Sequence, residues 1–80
     1  MTVAEAIKMR LYELCKERKI TINKLANICG VPQSTLANLV NRPHRSATVA
    51  TVKKICDGLE ISLVDFFDAK VFDELEQEIR

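Results

Sequence analysis

With 80 residues, 48% of them apolar, and a net charge of +1, the chain reads as a folded globule rather than a disordered tail. A chain this short buries only about 60% of the surface it exposes when unfolded, so its stability is modest. No apolar run is fit for a secretory leader or long enough to span a bilayer, so the expected setting is the cytoplasm, with no membrane partner.

The apolar spacing is helical throughout, and no stretch alternates long enough for a strand, which predicts an all-α class. Thr2, with Glu5 three residues on, spells a capping box for a first helix. Its core face is Ile7, Leu11 and Leu14, its solvated face Lys8, Arg10, Lys16 and Arg18, and its end lies near Lys19. Thr21 caps a second helix over residues 22–29, with Leu25, Ala26 and either Ile28 or Cys29 turned inward. Gly30 is suited to the left-handed conformation that closes a helix. Val31 plugs the turn, and Pro32, lacking an N–H, suits the start of the next helix.

The third helix is expected over residues 33–40. At 100° per residue, Leu36, Leu39 and Val40 form its inner face, while Ser34, Ala37, Asn38 and Asn41 cluster opposite and Gln33 projects from the N-terminal end. Asn41 is expected to take a left-handed C-cap, because Arg42 precedes Pro43 and is pushed toward extended geometry. After a loop over residues 42–47, Thr48 caps a fourth helix with Val49, Val52, Ile55 and Cys56 on its core face and Gly58 as its stop. Ser62 and Asp65 box a fifth helix anchored by Leu63, Phe66 and Phe67. From about Lys70 to Arg80, Phe72, Leu75 and Ile79 recur at helical spacing. They predict a short helical extension that either docks on its own domain or forms a seam between two copies, self-docking with some role in pairing being the favoured of the two.

The small net charge hides an asymmetry. Residues 1–59 hold ten basic and four acidic side chains, a net of +6, while residues 60–80 hold two basic and seven acidic, a net of −5. The basic part can face a polyanion and the acidic part should avoid one. Cys15, Cys29 and Cys56 are an odd number with no short spacing, so buried free thiols in a reducing compartment are expected, not a disulfide framework. His44 has no second histidine nearby and the cysteines are far apart, so a zinc site is not expected. No nucleophile–base pair, phosphate-cradling loop or paired carboxylates suggests an enzyme or a cofactor.

Residues 21–41 carry the function. Two short helices joined at Gly30-Val31-Pro32 form the layout of a helix-turn-helix, whose second helix lies in the major groove. Leu25, Val31, Leu36 and Leu39 form the wedge that fixes the angle between the two helices. Gln33, Ser34, Ala37 and Asn38 are left outside, short and neutral, where a helix made only for solubility would carry Glu and Lys.

Residues 7–67 resemble the phage lambda repressor and Cro type of regulator, the xenobiotic-response-element family. The matching residues are Ile20-Thr21, Leu25-Ala26, Gly30-Val31, Ser34-Thr35-Leu36, Leu39, Thr48-Val49 and Val52 through Phe67. The resemblance implies a five-helix DNA-binding domain over residues 1–69, with residues 70–80 as an acidic extension. It also implies a bacterial or phage-encoded protein, a repressor that binds an inverted-repeat operator in double-stranded DNA as a homodimer. Gln33, Ser34 and Asn38 fall on the family's base-contacting positions, and the amides suit adenine N6 and N7. Thr21, Asn23 and Lys24 start the second helix, where free N–H groups favour an anion, and Arg42, His44 and Arg45 lie in the loop that in this family follows the backbone; these six are the expected phosphate contacts. No small-molecule ligand is implied.

The chain departs from the family at Cys15 and Val40, where many relatives pair an Arg with a Glu; here an apolar contact is expected instead. Arg42 stands where a Gly often follows the third helix, and Pro32 where a Ser or Thr usually caps it. The rival reading is a protein-interaction module on the same fold, an antitoxin or phage-control adaptor, supported by the acidic, apolar tail. A third, a thiol-based sensor, requires an exposed cysteine.

Overall fold

Local hydrogen bonds start four of the five helices in the computed structural model, which describes residues 1–41, 47–77 and 79. Helix α1 (Val3–Arg18) begins with the full capping box: Thr2 Oγ1 accepts from the Glu5 N–H at 3.2 Å, and Glu5 Oε1 accepts from the Thr2 N–H at 3.1 Å. Thr21 caps α2 (Ile22–Cys29) by accepting from the Lys24 N–H at 3.1 Å. Thr48 caps α4 (Val49–Leu59) through the Thr51 N–H, and Ser62 with Asp65 boxes α5 (Leu63–Phe67). Each such cap is worth about 1 kcal/mol. Helix α3 (Gln33–Asn41) starts after Pro32, whose carbonyl accepts the Leu36 N–H at 3.1 Å. Among the described residues there is no strand, so the fold is all-α.

Left-handed residues close three helices: Lys19 (φ 56°), Gly30 (φ 67°) and Glu60 (φ 59°). At Lys19 and Glu60 the next amide folds back onto the helix, Ile20 N–H to the Cys15 carbonyl at 3.0 Å and Ile61 N–H to the Cys56 carbonyl at 2.9 Å. That pattern satisfies the last carbonyls and holds non-glycine residues in a conformation they otherwise avoid. Gly30 adopts it without a Cβ penalty, as the sequence predicts.

The core is one cluster. Leu11, Leu25, Leu36, Val52, Ile55, Cys56, Leu59 and Phe66 are its most buried large side chains. Helix α2 lies between α3 and α4 and packs on both, while α1 crosses α2 and α3. Cys15 and Val40 are both buried in this cluster, in keeping with an apolar replacement of the family's ion pair.

Several expectations need correction. Gly58 does not stop α4, which runs on to Leu59 with Glu60 as its cap. It is instead where α4 meets α2: a Cβ placed on Gly58 lies 2.6 Å from Cys29 Sγ and 2.8 Å from Cys29 Cα. At the end of α2, where the sequence leaves Ile28 and Cys29 open, Cys29 is the inward residue, which agrees with that reading. Val49 is 69% exposed rather than in the core. Asn41 belongs to the last turn of α3, with no left-handed φ. Phe67 is 41% exposed, so Phe66 alone is the fully buried anchor of α5, with Leu63 partly buried beside it.

Arg10 is the largest correction. Expected in solvent, it is only 8% exposed. Its Nε donates to the Phe66 carbonyl at 2.6 Å and its Nη2 to the Asp65 carbonyl at 2.7 Å, with Glu13 accepting from Nη1. A five-residue helix pairs few of its own last carbonyls: the Asp68 N–H reaches the Asp65 carbonyl at 3.3 Å, and Arg10 adds charged donors to Asp65 and Phe66 from α1. Lys8 is half-buried rather than fully solvated.

The tail is not a continuous helix. A single 3₁₀ turn (Lys70–Glu74) places Phe72 against the core, and the chain is extended at Leu75. The Glu76 N–H then donates to the Met1 carbonyl at 2.9 Å, and Glu76 Oε1 accepts from the Met1 amino group at 3.3 Å. Of the two alternatives for the tail, docking on its own domain is the one seen in the single chain, by backbone pairing rather than a helical stripe; Ile79 is 81% exposed.

Candidate nucleic-acid interface

Helix α3 has nine residues and no charge, which makes its outer face unusual for an exposed helix. Leu36, Leu39 and Val40 are buried, and they fix the rotation of the helix. Gln33, Ser34, Asn38 and Asn41 are exposed, with Ala37 half-buried between them. Ser34 and Asn38, four residues apart, lie on one stripe about 6 Å long, and Gln33 stands beside its N-terminal end. All three proposed base-reading side chains are thus outside the core, on the surface that the packing of α3 leaves free. A bare α-helix with side chains is about 10–12 Å across and matches a major groove about 12 Å wide.

The first turn of α2 carries the second set. Thr21, Asn23 and Lys24 are all exposed, and no acidic side chain in that turn neutralises the positive end of the helix dipole. Thr21 Oγ1 is occupied as an acceptor by the Lys24 amide, which leaves its own O–H proton to donate outward. Arg42, His44 and Arg45 lie outside the described residues. Lys53 pairs with Asp57 one turn along α4, which raises its pKa through that hydrogen bond, while Lys54 is exposed.

The three thiols are free and lie toward the interior: Cys15 and Cys56 are buried and Cys29 half-buried. Cys29 Sγ points to the Ile55 carbonyl at 3.5 Å. Burial, with Cys15 and Cys56 nearby, pushes the Cys29 thiol up to about 11, and burial raises Cys15 and Cys56 as well. The thiolate is the reactive form, so these positions suit packing and not sensing. The native protein is expected to react with a thiol reagent at pH 8 at least about tenfold slower than the same chain in denaturant, measured by absorbance of the released chromophore. Equal rates would show that a thiol is open to solvent.

No group of three or more potential metal ligands comes together among the described residues, and no described helix is long and apolar enough to cross a membrane.

Residues 11–66 match the family profile described as helix-turn-helix. The chain belongs to that family, of the lambda repressor and Cro type, whose members are DNA-binding transcriptional regulators. It is 30% identical over 59 residues to the SPbeta prophage-derived HTH-type transcriptional regulator YopS of Bacillus subtilis, covering 74% of this chain and 80% of that protein. From the same organism, the HTH-type transcriptional regulator SlrR is 36% identical over 62 residues and the HTH-type transcriptional repressor RghR 33% over 57. These matches cover 76% and 71% of this chain but only 41% and 42% of those longer proteins. Among solved structures, the prophage Lp1 protein 11 superposes with a TM-score of 0.78 at 35% identity, over 94% of this chain and 99% of that one.

Proposed function

We propose that the chain is a sequence-specific transcriptional repressor of bacterial or prophage origin that reads the major groove of double-stranded DNA with α3. The observation that carries this reading is the neutral, amide-bearing stripe of Gln33, Ser34 and Asn38 held outside the core by Leu36, Leu39 and Val40. Gln33 and Asn38 offer an amide pair to adenine, and α3 carries no arginine for guanine, so half-sites rich in A·T are favoured. Thr21, Asn23 and Lys24 contribute phosphate contacts from the start of α2, and Arg42, His44 and Arg45 add theirs from the loop after α3. Two copies occupy the half-sites of an inverted repeat, forming the homodimer on the operator. Half-site centres are about 34 Å apart, and one copy measures 23 × 21 Å across its two shorter dimensions, so two copies fit on one face of the duplex with their long axes turned off its axis.

Selection of bound sequences from random duplex DNA tests the reading, followed by anisotropy titration of the winning site. Asn38→Ala is expected to lose about 1–3 kcal/mol of discrimination at one base pair while keeping affinity for the rest. Lys24→Ala is expected to weaken all sequences alike and to lower the slope of log affinity against log salt by about one. Selection that yields no preferred sequence, or an Asn38→Ala protein with unchanged preferences, would refute the base-reading assignment.

The second reading, a protein-interaction module of the antitoxin or phage-control adaptor kind, is favoured by one observation: Val64 and Phe67 stand exposed side by side on α5.

A further inference from the structure

We infer that the outer face of α5 docks a basic amphipathic segment of another protein, and that it is not a seam between two copies of this chain. The inference is independent of the DNA-binding reading. Val64 is 77% exposed and Phe67 41%, and with Leu63 and Asp68 they line an open, apolar depression of about 580 Å³. The face is braced from beneath. Phe67 packs edge-on to Phe66 at 5.0 Å and against Phe72 at 4.9 Å, while Arg10 holds the two carbonyls at the end of the helix. A preformed surface spends little on ordering when a partner arrives.

Charge selects the occupant. Asp68 lines the depression, and residues 60–77, the segment that contains it, carry six acidic side chains, Glu60, Asp65, Asp68, Asp73, Glu74 and Glu76, all exposed, against the base Lys70 and the Met1 amino group that pairs with Glu76. A two-fold pairing of copies sets the same patch against itself. Two acidic segments would then be brought together, and like-charge juxtaposition opposes association. The same field repels nucleic acid. A helix with large apolar anchors at i, i+3 or i+4 and i+7, flanked by Lys or Arg, fills the depression and meets opposite charge around it.

The probe is a synthetic amphipathic helix with leucines on one face and lysines on the other, beside a version with glutamate in place of every lysine. Each is titrated into the isotope-labelled full chain and followed by amide chemical shifts at low and high salt. Saturable shifts confined to residues 63–68 are expected with the lysine peptide, with at least about tenfold weaker binding of the glutamate version. Val64→Lys should abolish binding and Asp68→Lys weaken it about tenfold. Both side chains are exposed, so a retained circular-dichroism spectrum and unchanged DNA affinity separate a lost docking face from a lost fold or a failed DNA reading. The inference is overturned by absent or scattered shifts, or by equal binding of the two peptides. It is also overturned if shifts at residues 63–68 depend on protein concentration alone and vanish in Val64→Lys, which would make a second copy the occupant.

Discussion

Arg10→Ala is expected to lower the melting temperature of this domain by roughly 10–20 °C, the shift that follows from about 2–3 kcal/mol in a chain of this size. Three contributions could be at stake, and they are unequal. The bond to Glu13 is the least, because that carboxylate is half exposed and an exposed ion pair is worth about 0–1 kcal/mol. The apolar stem adds some packing. The main loss is at the end of α5, where the Phe66 and Asp65 carbonyls lose a charged donor at 2.6 and 2.7 Å. Hydrogen bonds to a charged group are worth about 1.5–3 kcal/mol, and the loss falls mainly on the buried bond to the Phe66 carbonyl, because Asp65 keeps the Asp68 N–H at 3.3 Å. Arg10→Met keeps the stem and should lose most of the same stability, while Glu13→Gln should change it by less than about 1 kcal/mol. Thermal melts of the three variants decide the matter. An Arg10→Ala protein melting with the parent would mean that α5 is held by Phe66 alone.

Gly58→Ala should be destabilising by about 1–3 kcal/mol, against the usual direction of such a change. In an ordinary helix interior, glycine costs about 1 kcal/mol relative to alanine, so the substitution normally stabilises. Here the added methyl would sit 2.6 Å from Cys29 Sγ and 2.8 Å from Cys29 Cα. A side-chain tip can swing aside, but the Cα is backbone, so α2 itself must shift away from α4. Cys29→Ala in the same chain removes the sulfur and not the backbone clash, so it should rescue only part of the loss. Because α2 is the first helix of the helix-turn-helix, its displacement should also re-aim α3, and DNA affinity should fall with stability. Denaturant titration and DNA binding of Gly58→Ala, alone and with Cys29→Ala, provide the check. A more stable single variant would show that the two helices part at no cost.

What was legible in the sequence is what depends on neighbours. Thr2, Thr21, Thr48 and Ser62 each reach an amide three residues on, so the starts of α1, α2, α4 and α5 could be read directly. Gly30 was likewise a local matter, as was the inner face of α3. The errors arose where a distant partner decided the outcome. Arg10 lies at the margin of the α1 core face, and its burial depends on carbonyls 55 and 56 residues away. Gly58 looked like a stop because a glycine near a helix end commonly is one; its real constraint is Cys29 on another helix. Val49 stands about 70° from the centre of the face formed by Val52, Ile55, Cys56 and Leu59, so at the first turn of α4 it falls outside the core. The tail spacing of Phe72, Leu75 and Ile79 imitated a helix, but the Glu76 amide found the Met1 carbonyl instead. The three base-reading candidates were legible as an outward stripe, whereas Arg42, His44 and Arg45 fall on residues that the structure does not describe.

The absence of charge along α3 bears on how such a protein would search a genome. Counterions leave the duplex when cations arrive, and α3 brings none. Ionic strength would then govern how long the protein dwells on any stretch of DNA, correct or not, through the cations beside α3. On the proposed reading, the ratio by which it prefers its own operator would stay nearly level, because amide pairings with bases displace no ions.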